Sequence, residues 1–208
     1  MKVMLDQETI EVEHPSLAAA MATGVALAED RGRTIIEVLV DGSPVRGEDL
    51  DNVSNDPIPD AEVRMLSADP VQLVRQSLFD AAEALESACE DHTAIANQLQ
   101  SGADHGKAME QLGSTLAVWQ GVQDVLARGY ALLGQDPDSI QLPAELAGGR
   151  QVSQLLVELG GHLREVRRSL EDQDFAALAD TIGYDLEPMA RLWSGVLRLA
   201  ADGCAGAS

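Results

Sequence analysis

Between Asp174 and Ala200, apolar residues recur at Phe175, Leu178, Ile182, Leu186, Met189, Trp193, Val196 and Ala200. Gaps of three and four are the period of one buried helix face. A single stripe of this kind has no stability alone and needs other helices to cover it. Three earlier stretches qualify. Asp69-Pro70 reads as an N-cap followed by proline at the first helical position. It opens a helix to about Ser101, with Val74, Leu78, Ala81, Leu85, Ala88, His92, Ile95 and Leu99 on one face and Gly102 to end it. A second helix is expected over about Asp104 to Gly134, faced by Met109, Leu112, Leu116, Trp119, Val122, Leu126, Tyr130 and Leu133. A third is expected over about Arg150 to Leu170, with Val152, Leu155, Leu156, Leu159, Leu163, Val166 and Leu170. The connection Gln135 to Gly149 carries Pro137, Pro143 and Gly148-Gly149 and reads as a loop crossing one end. Four amphipathic helices with mostly short connections predict an antiparallel bundle over residues 69–203, followed by a small-residue tail, 204–208.

Pro188 falls inside the last stripe. In a straight helix its ring clashes with the Tyr184 carbonyl and one donor is missing, at a cost of about 3 kcal/mol. The stripe stays in phase across it, which predicts a kinked continuous helix rather than a new helix starting near Asp185 or Leu186.

The first third of the chain has a different period. Lys2 to Leu5 and Thr9 to Glu13 read as strands about the turn Asp6-Gln7-Glu8. His14-Pro15 breaks the second, and Ser16 caps a helix to about Arg31, ended by Gly32, with Leu17, Met21, Val25 and Ala28 as its apolar face. Thr34 to Val40 is a β-branched strand, Asp41-Gly42 a turn, and Ser43 to Val45 a short return. Glu48 to Val53 reads as a single helical turn, Asn55 to Asp60 as a loop, and Glu62 to Leu66 as the last strand. This order over residues 1–68 resembles the β-grasp, or ubiquitin-like, fold. The whole chain is therefore expected to be α+β: a small β-grasp-like domain followed by a four-helix bundle. Ubiquitin-like modifiers and sulfur carriers end in Gly-Gly after the last strand. Here that strand runs into Ser67-Ala68-Asp69-Pro70, so the resemblance does not extend to conjugation or sulfur transfer. Ferredoxin-type cluster binding on this fold is excluded because its cysteines are missing from the segment. The segments around Thr181-Ile182-Gly183-Tyr184-Asp185, Trp193 and Val40-Asp41-Gly42 also resemble a pattern in a family of uncharacterised bacterial proteins, which implies no activity.

Charge narrows the partners. The 35 acidic and 14 basic side chains leave a formal net charge of −21. Such a surface repels nucleic-acid and anionic-membrane phosphates and favours basic protein partners. Hydrophobic residues make up 45% but aromatics only 3%, which suits helix seams built from Leu, Val and Ala. Met1 to Glu13 lacks the apolar core of a signal peptide, and the longest apolar run, Leu17 to Ala28, is too short to span a bilayer. A bacterial-type cytoplasm is the expected location.

Candidate chemistry is sparse. The two cysteines, Cys89 and Cys204, show no metal-ligand spacing. Glu158 and His162 lie one turn apart, but no second Glu/His contribution completes a di-metal site, so no metal and no cofactor is expected. His92 falls on the buried stripe and reads as a core histidine. No P-loop, Rossmann glycine pattern or nucleophile elbow occurs, and Gly148-Gly149-Arg150 is only a weak anion-binding signal. Tyr184, with Asp180 one turn earlier and Asp185 beside it, is a candidate contact for a ligand or partner at the kink. Arg164, Arg167 and Arg168 form the one basic cluster, and Arg164 and Arg168 are candidate docking residues or simply pair with acidic neighbours such as Glu165. The expected function is a non-enzymatic interaction module, an adaptor or chaperone-like protein, that binds a protein partner through helix faces or a sheet edge. The alternative is a small-molecule binder or enzyme with its site near the kink or the domain junction. Self-assembly into a homodimer through the same patch is the third reading.

Overall fold

The computed structural model describes residues 1–51, 53–102 and 105–205. The expected helix start at Asp104, position 52 of the expected single turn, and tail residues 206–208 lie outside them. The chain divides into two compact units, Met1–Leu73 and Val74–Ser208.

The first unit is a five-stranded mixed sheet crossed by one helix. Strands β1 (Lys2–Leu5), β2 (Glu8–Ile10), β3 (Thr34–Val40), β4 (Ser43–Pro44) and β5 (Glu62–Ala68) lie in the order β2-β1-β5-β3-β4. The central pair β1–β5 is parallel and the other pairs are antiparallel. With α1 (Leu17–Asp30) on one face and the single turn α2 (Gly47–Asp51) after β4, this is the β-grasp arrangement that the element order resembles. The second strand is shorter than its alternation suggests, ending at Ile10. Ser16 caps α1 by accepting from the Ala19 N–H. Asp41 and Gly42 both take positive φ, the geometry of a tight hairpin turn, and the Asp41 carboxylate also accepts from the Glu62 N–H.

Val3, Leu5, Val63, Met65 and Val38 form the sheet side of the core. The helix side keeps Leu17, Met21 and Ala28 of the expected face against the core but not Val25. The buried residues of α1 are Ala20, Gly24 and Ala28, while Val25 is exposed. A Cβ at Gly24 would lie 2.3 Å from Met65 Cε, so the helix rests on the sheet through its small residues. Behind the sheet, Asp6 accepts from the Ser67 N–H and Oγ at 2.8 Å, and Arg33 donates to the Ser67 carbonyl and Oγ. The Ser67 hydrogen bonds hold the Asp6 carboxyl below the usual carboxylate range, aided by Arg33 and Arg31 and opposed by partial burial.

The second unit is built from α3 (Pro70–Ser101), α4 (His105–Leu132), α6 (Val152–Glu171) and the segment that ends the chain. Asp69 caps α3, its carboxylate accepting from the Val71 and Gln72 N–H groups, and Gly102 leaves it with positive φ. The crossing connection is not all loop. It holds a 3₁₀ turn, Pro137–Ser139, and α5 (Ala144–Ala147). Contacts run antiparallel: Val74 meets Gly129, His92 meets Trp119, and Gln98 bonds Gln111 across α3 and α4. Glu86 on α3 accepts from Ser194 and Arg198 of the last segment, while Ala96 lies against Gly183. Ala82 rather than Ala81 is buried on α3, and Ala108 and Thr115 join the face of α4.

The last stripe is helical throughout, as its phase suggests, with an irregular turn just before Pro188: α7 (Phe175–Asp180), a π-helical turn (Thr181–Leu186) and α8 (Glu187–Ala205) follow one another without a gap. The Glu187 N–H donates to the Ile182 carbonyl, five residues back. The wider turn carries one extra residue, so Pro188 enters α8 in its first turn, where its missing donor does little harm. The stripe stays buried through Leu178, Ile182, Leu186, Met189, Trp193, Val196 and Ala200.

Candidate functional site

The π turn creates the first candidate site. It turns Tyr184 and Asp185 outward, and Tyr184 is 73% exposed rather than tucked at the core edge. Beside them lies an open cleft of about 360 Å³ whose polar lining is Arg150, Glu158, His162, Tyr184 and Asp185 and whose floor includes Met189 and Leu192. His162 Nδ1 stands 3.7 Å from an Asp185 carboxylate oxygen, and Arg150 pairs with Glu158 while its Nε donates to the Ala147 carbonyl. The Arg150 side chain is thus committed, which removes the cation from the glycine-pair anion site. The cleft offers an imidazole, a carboxylate and a phenol, groups able to hydrogen-bond a polar ligand, but no nucleophile with an attendant base.

Of the sequence candidates, Tyr184 and Asp185 meet at this cleft. Asp180 is exposed at the end of α7 and makes no hydrogen bond or ion pair to Tyr184 among the described residues. Arg164 and Arg168 lie farther along α6. Arg168 pairs with Glu165 at 3.4 Å and Asp172 at 3.7 Å, and Arg167 with Glu171 at 2.9 Å. The Arg164 guanidinium folds back over Gly160 and Gly161.

A histidine sits in the bundle core. His92 is fully buried, and its Nε2 accepts from the Trp119 indole N–H at 3.4 Å. That bond requires Nε2 to be unprotonated, so the neutral ring carries its proton on Nδ1. Burial lowers the His92 pKa, against the opposing pull of the Ala88 carbonyl and of Asp91 and Glu187. The unfolded state then takes up the proton first as pH falls. The stability of the helical unit is expected to be fully present above about pH 6.5 and to decline below it by at most about 1.4 kcal/mol per pH unit. A His92→Leu variant should lack this decline, as measured by urea unfolding between pH 7 and 5. An equal slope in both proteins would contradict it. The two thiols are buried and free, and desolvation raises both above the ordinary cysteine range, so neither is an activated nucleophile.

The second candidate site lies in the first unit and was not named in advance. β4 covers only Leu39 and Val40 of β3, with one further bond from the Val45 N–H to the Val38 carbonyl. On the side away from β5, Thr34 to Glu37 has no strand partner among the described residues. Between this open edge and α1 runs a groove of about 320 Å³, lined by Met21, Val25, Ile35, Ile36, Val45 and Leu50 with Glu29 and Glu37 at its rim. A bulge between Ile35 and Glu37 shifts the register, and Ile36 is 51% exposed. The signal was present in the sequence. A seven-residue strand followed by a far shorter return must leave part of its edge uncovered, and adjacent isoleucines cannot both face inward in a regular strand.

Among the described residues, no three His, Cys, Asp or Glu side chains gather to hold a metal, and no helix is long and apolar enough to cross a membrane. No protein-family model, curated protein or solved structure matches the chain.

Proposed function

We propose that the chain is a non-enzymatic protein-interaction module of the cytoplasm that binds a protein partner through the β-grasp unit. The observation that supports this reading is the apolar groove beside the uncovered half of β3. An open sheet edge is costly to leave bare, because it invites pairing with any passing strand. Beside an apolar groove it has the two components of strand-addition recognition, main-chain hydrogen bonds for affinity and side-chain pockets for specificity. The net charge of −21 adds long-range attraction for basic partners. Pull-down with the tagged full chain from native lysate, eluted by raising salt, is expected to return a stoichiometric basic protein. Recovery of the chain alone at low salt would count against the adaptor reading.

A second reading places a small polar ligand in the cleft at the π turn, favoured by the convergence of Tyr184, Asp185 and His162 there. π turns within α-helices are frequent at functional sites. Thermal-shift screening of polar metabolites against the wild type and Tyr184→Ala tests it. A ligand that stabilises the wild type and loses its effect in the variant would support this site.

A further inference from the structure

Resting on the interaction-module reading, we infer that the α1–β3 groove takes an extended peptide that pairs with Thr34–Glu37 as an added strand, with apolar side chains at alternate positions and lysine or arginine beside them. Three observations specify this occupant. The first is the free edge itself, whose main-chain donors and acceptors have no strand partner among the described residues, with their spacing shifted by the bulge between Ile35 and Glu37. The second is the apolar lining next to it. Val25 and Ile36 are exposed on opposite walls and Leu50 and Val45 close one end, so every second side chain of an added strand has a place to bury. The third is the charge at the rim. Glu29 and Glu37 make no ion pair among the described residues. Arg33 also lines the groove, but its guanidinium donates to Ser67 and stands 4.0 Å from Asp6. Two lining carboxylates against this one engaged guanidinium leave the groove net acidic toward whatever lies in it.

The same charges argue against a second copy of the chain. Edge-to-edge pairing of two β3 strands would bring Glu37 of one copy near the matching edge of the other, between bodies that each carry a net charge of −21. A basic peptide meets attraction where a copy meets repulsion.

The test is to pan a random peptide display library against the immobilised full chain, then synthesise the peptide most often recovered. The expected peptides alternate aliphatic or β-branched residues and carry lysine or arginine beside them. Binding of the synthetic peptide is expected to shift the backbone amide resonances of Thr34–Glu37. Charge reversal in Glu29→Lys/Glu37→Lys, or Ile36→Asp, should weaken it about tenfold or more. Methylating alternate peptide amides should abolish it, as it would not for a peptide held by side chains alone. All these positions are at the surface, and circular dichroism of each variant confirms that it folds. Selected peptides without the basic, alternating pattern, binding indifferent to both variants, or resonance shifts confined to the β2 edge or the helical unit would each overturn the proposal. So would dimerisation of the chain that Ile36→Asp abolishes, because a second copy would then be the occupant. A salt-sensitive lysate partner that the peptide does not displace, and that Ile36→Asp does not release, would sink the groove while leaving the interaction module standing. Absence of such a partner, with the peptide still bound at β3, would sink the module reading instead.

Discussion

Trp193→Ala is expected to destabilise the helical unit by about 3–5 kcal/mol. Trp193 is fully buried in α8, on the stripe that the other helices cover. Truncation removes the bulk of a large side chain and leaves a cavity that long helices, fixed at both ends, cannot collapse to fill. The loss is one of packing alone, because the indole N–H has no hydrogen-bond partner. That makes a sharper comparison available. Trp193→Phe sheds an unpaired buried donor while losing some volume. Trp119→Phe loses comparable volume and also strips the donor from His92 Nε2. The second substitution should therefore cost more than the first, by about 1–3 kcal/mol. Denaturant unfolding followed by tryptophan fluorescence reads all three, and both tryptophans lie in the second unit, so the signal reports that unit alone. Equal costs for the two phenylalanine variants would show that the His92–Trp119 bond adds nothing.

Raising the pH from 10 to 12 is expected to remove about 2 kcal/mol of stability through Tyr130 alone. Tyr130 is buried near the end of α4, and burial, with a further push from Cys204, takes its phenol up to about 12. In the unfolded chain the same phenol ionises near 10. Below pH 10 both states hold the proton and the contribution is constant. Between 10 and about 12 only the unfolded state releases it, so stability falls. Tyr130→Phe should unfold at nearly the same denaturant concentration at pH 10 and 11.5, once the slope common to both proteins is subtracted. In a Tyr184→Phe background, the tyrosinate absorbance should rise near 12 in the folded protein and near 10 in denaturant. A folded midpoint near 10 would mean that water reaches the phenol.

Much of the architecture was legible in the chain because it rests on local rules. The caps Asp69 and Ser16, the Asp41-Gly42 turn and the exits at Gly32 and Gly102 each follow from side-chain hydrogen bonding or positive φ that short segments decide for themselves. The face of α1 shows where local rules fall short. Hydrophobicity picks Leu17, Met21, Val25 and Ala28, of which all but Val25 pack on the core, but it misses Ala20 and Gly24, and at Gly24 Met65 approaches too closely for any side chain. The π turn was half visible. Leu178, Ile182 and Leu186 stand four apart twice in succession, a spacing that suits a wider turn, and Pro188 falls in the first turn of the helix that follows it. The cleft and the groove could not be read from patterns, since each depends on which elements lie side by side. Tyr184 was legible as unusual but not as exposed, whereas the pairing of Arg168 with Glu165 on its own helix was legible from their spacing.

The extra residue of the π turn also has a bearing on how the sequence can change. Each residue added to or removed from an α-helix rotates everything after it by about 100°. The face that α8 shows to the bundle is thus set by a count kept within Thr181–Leu186, far from most of the side chains that depend on it. Dropping one residue from that turn would restore a regular helix locally, yet it would swing Trp193, Val196 and Ala200 off the seam or return Pro188 to a helix interior. Substitutions along α8 meet the core one at a time, whereas an insertion or deletion in this single turn meets it all at once. The helix will accept new residues far more readily than a new length.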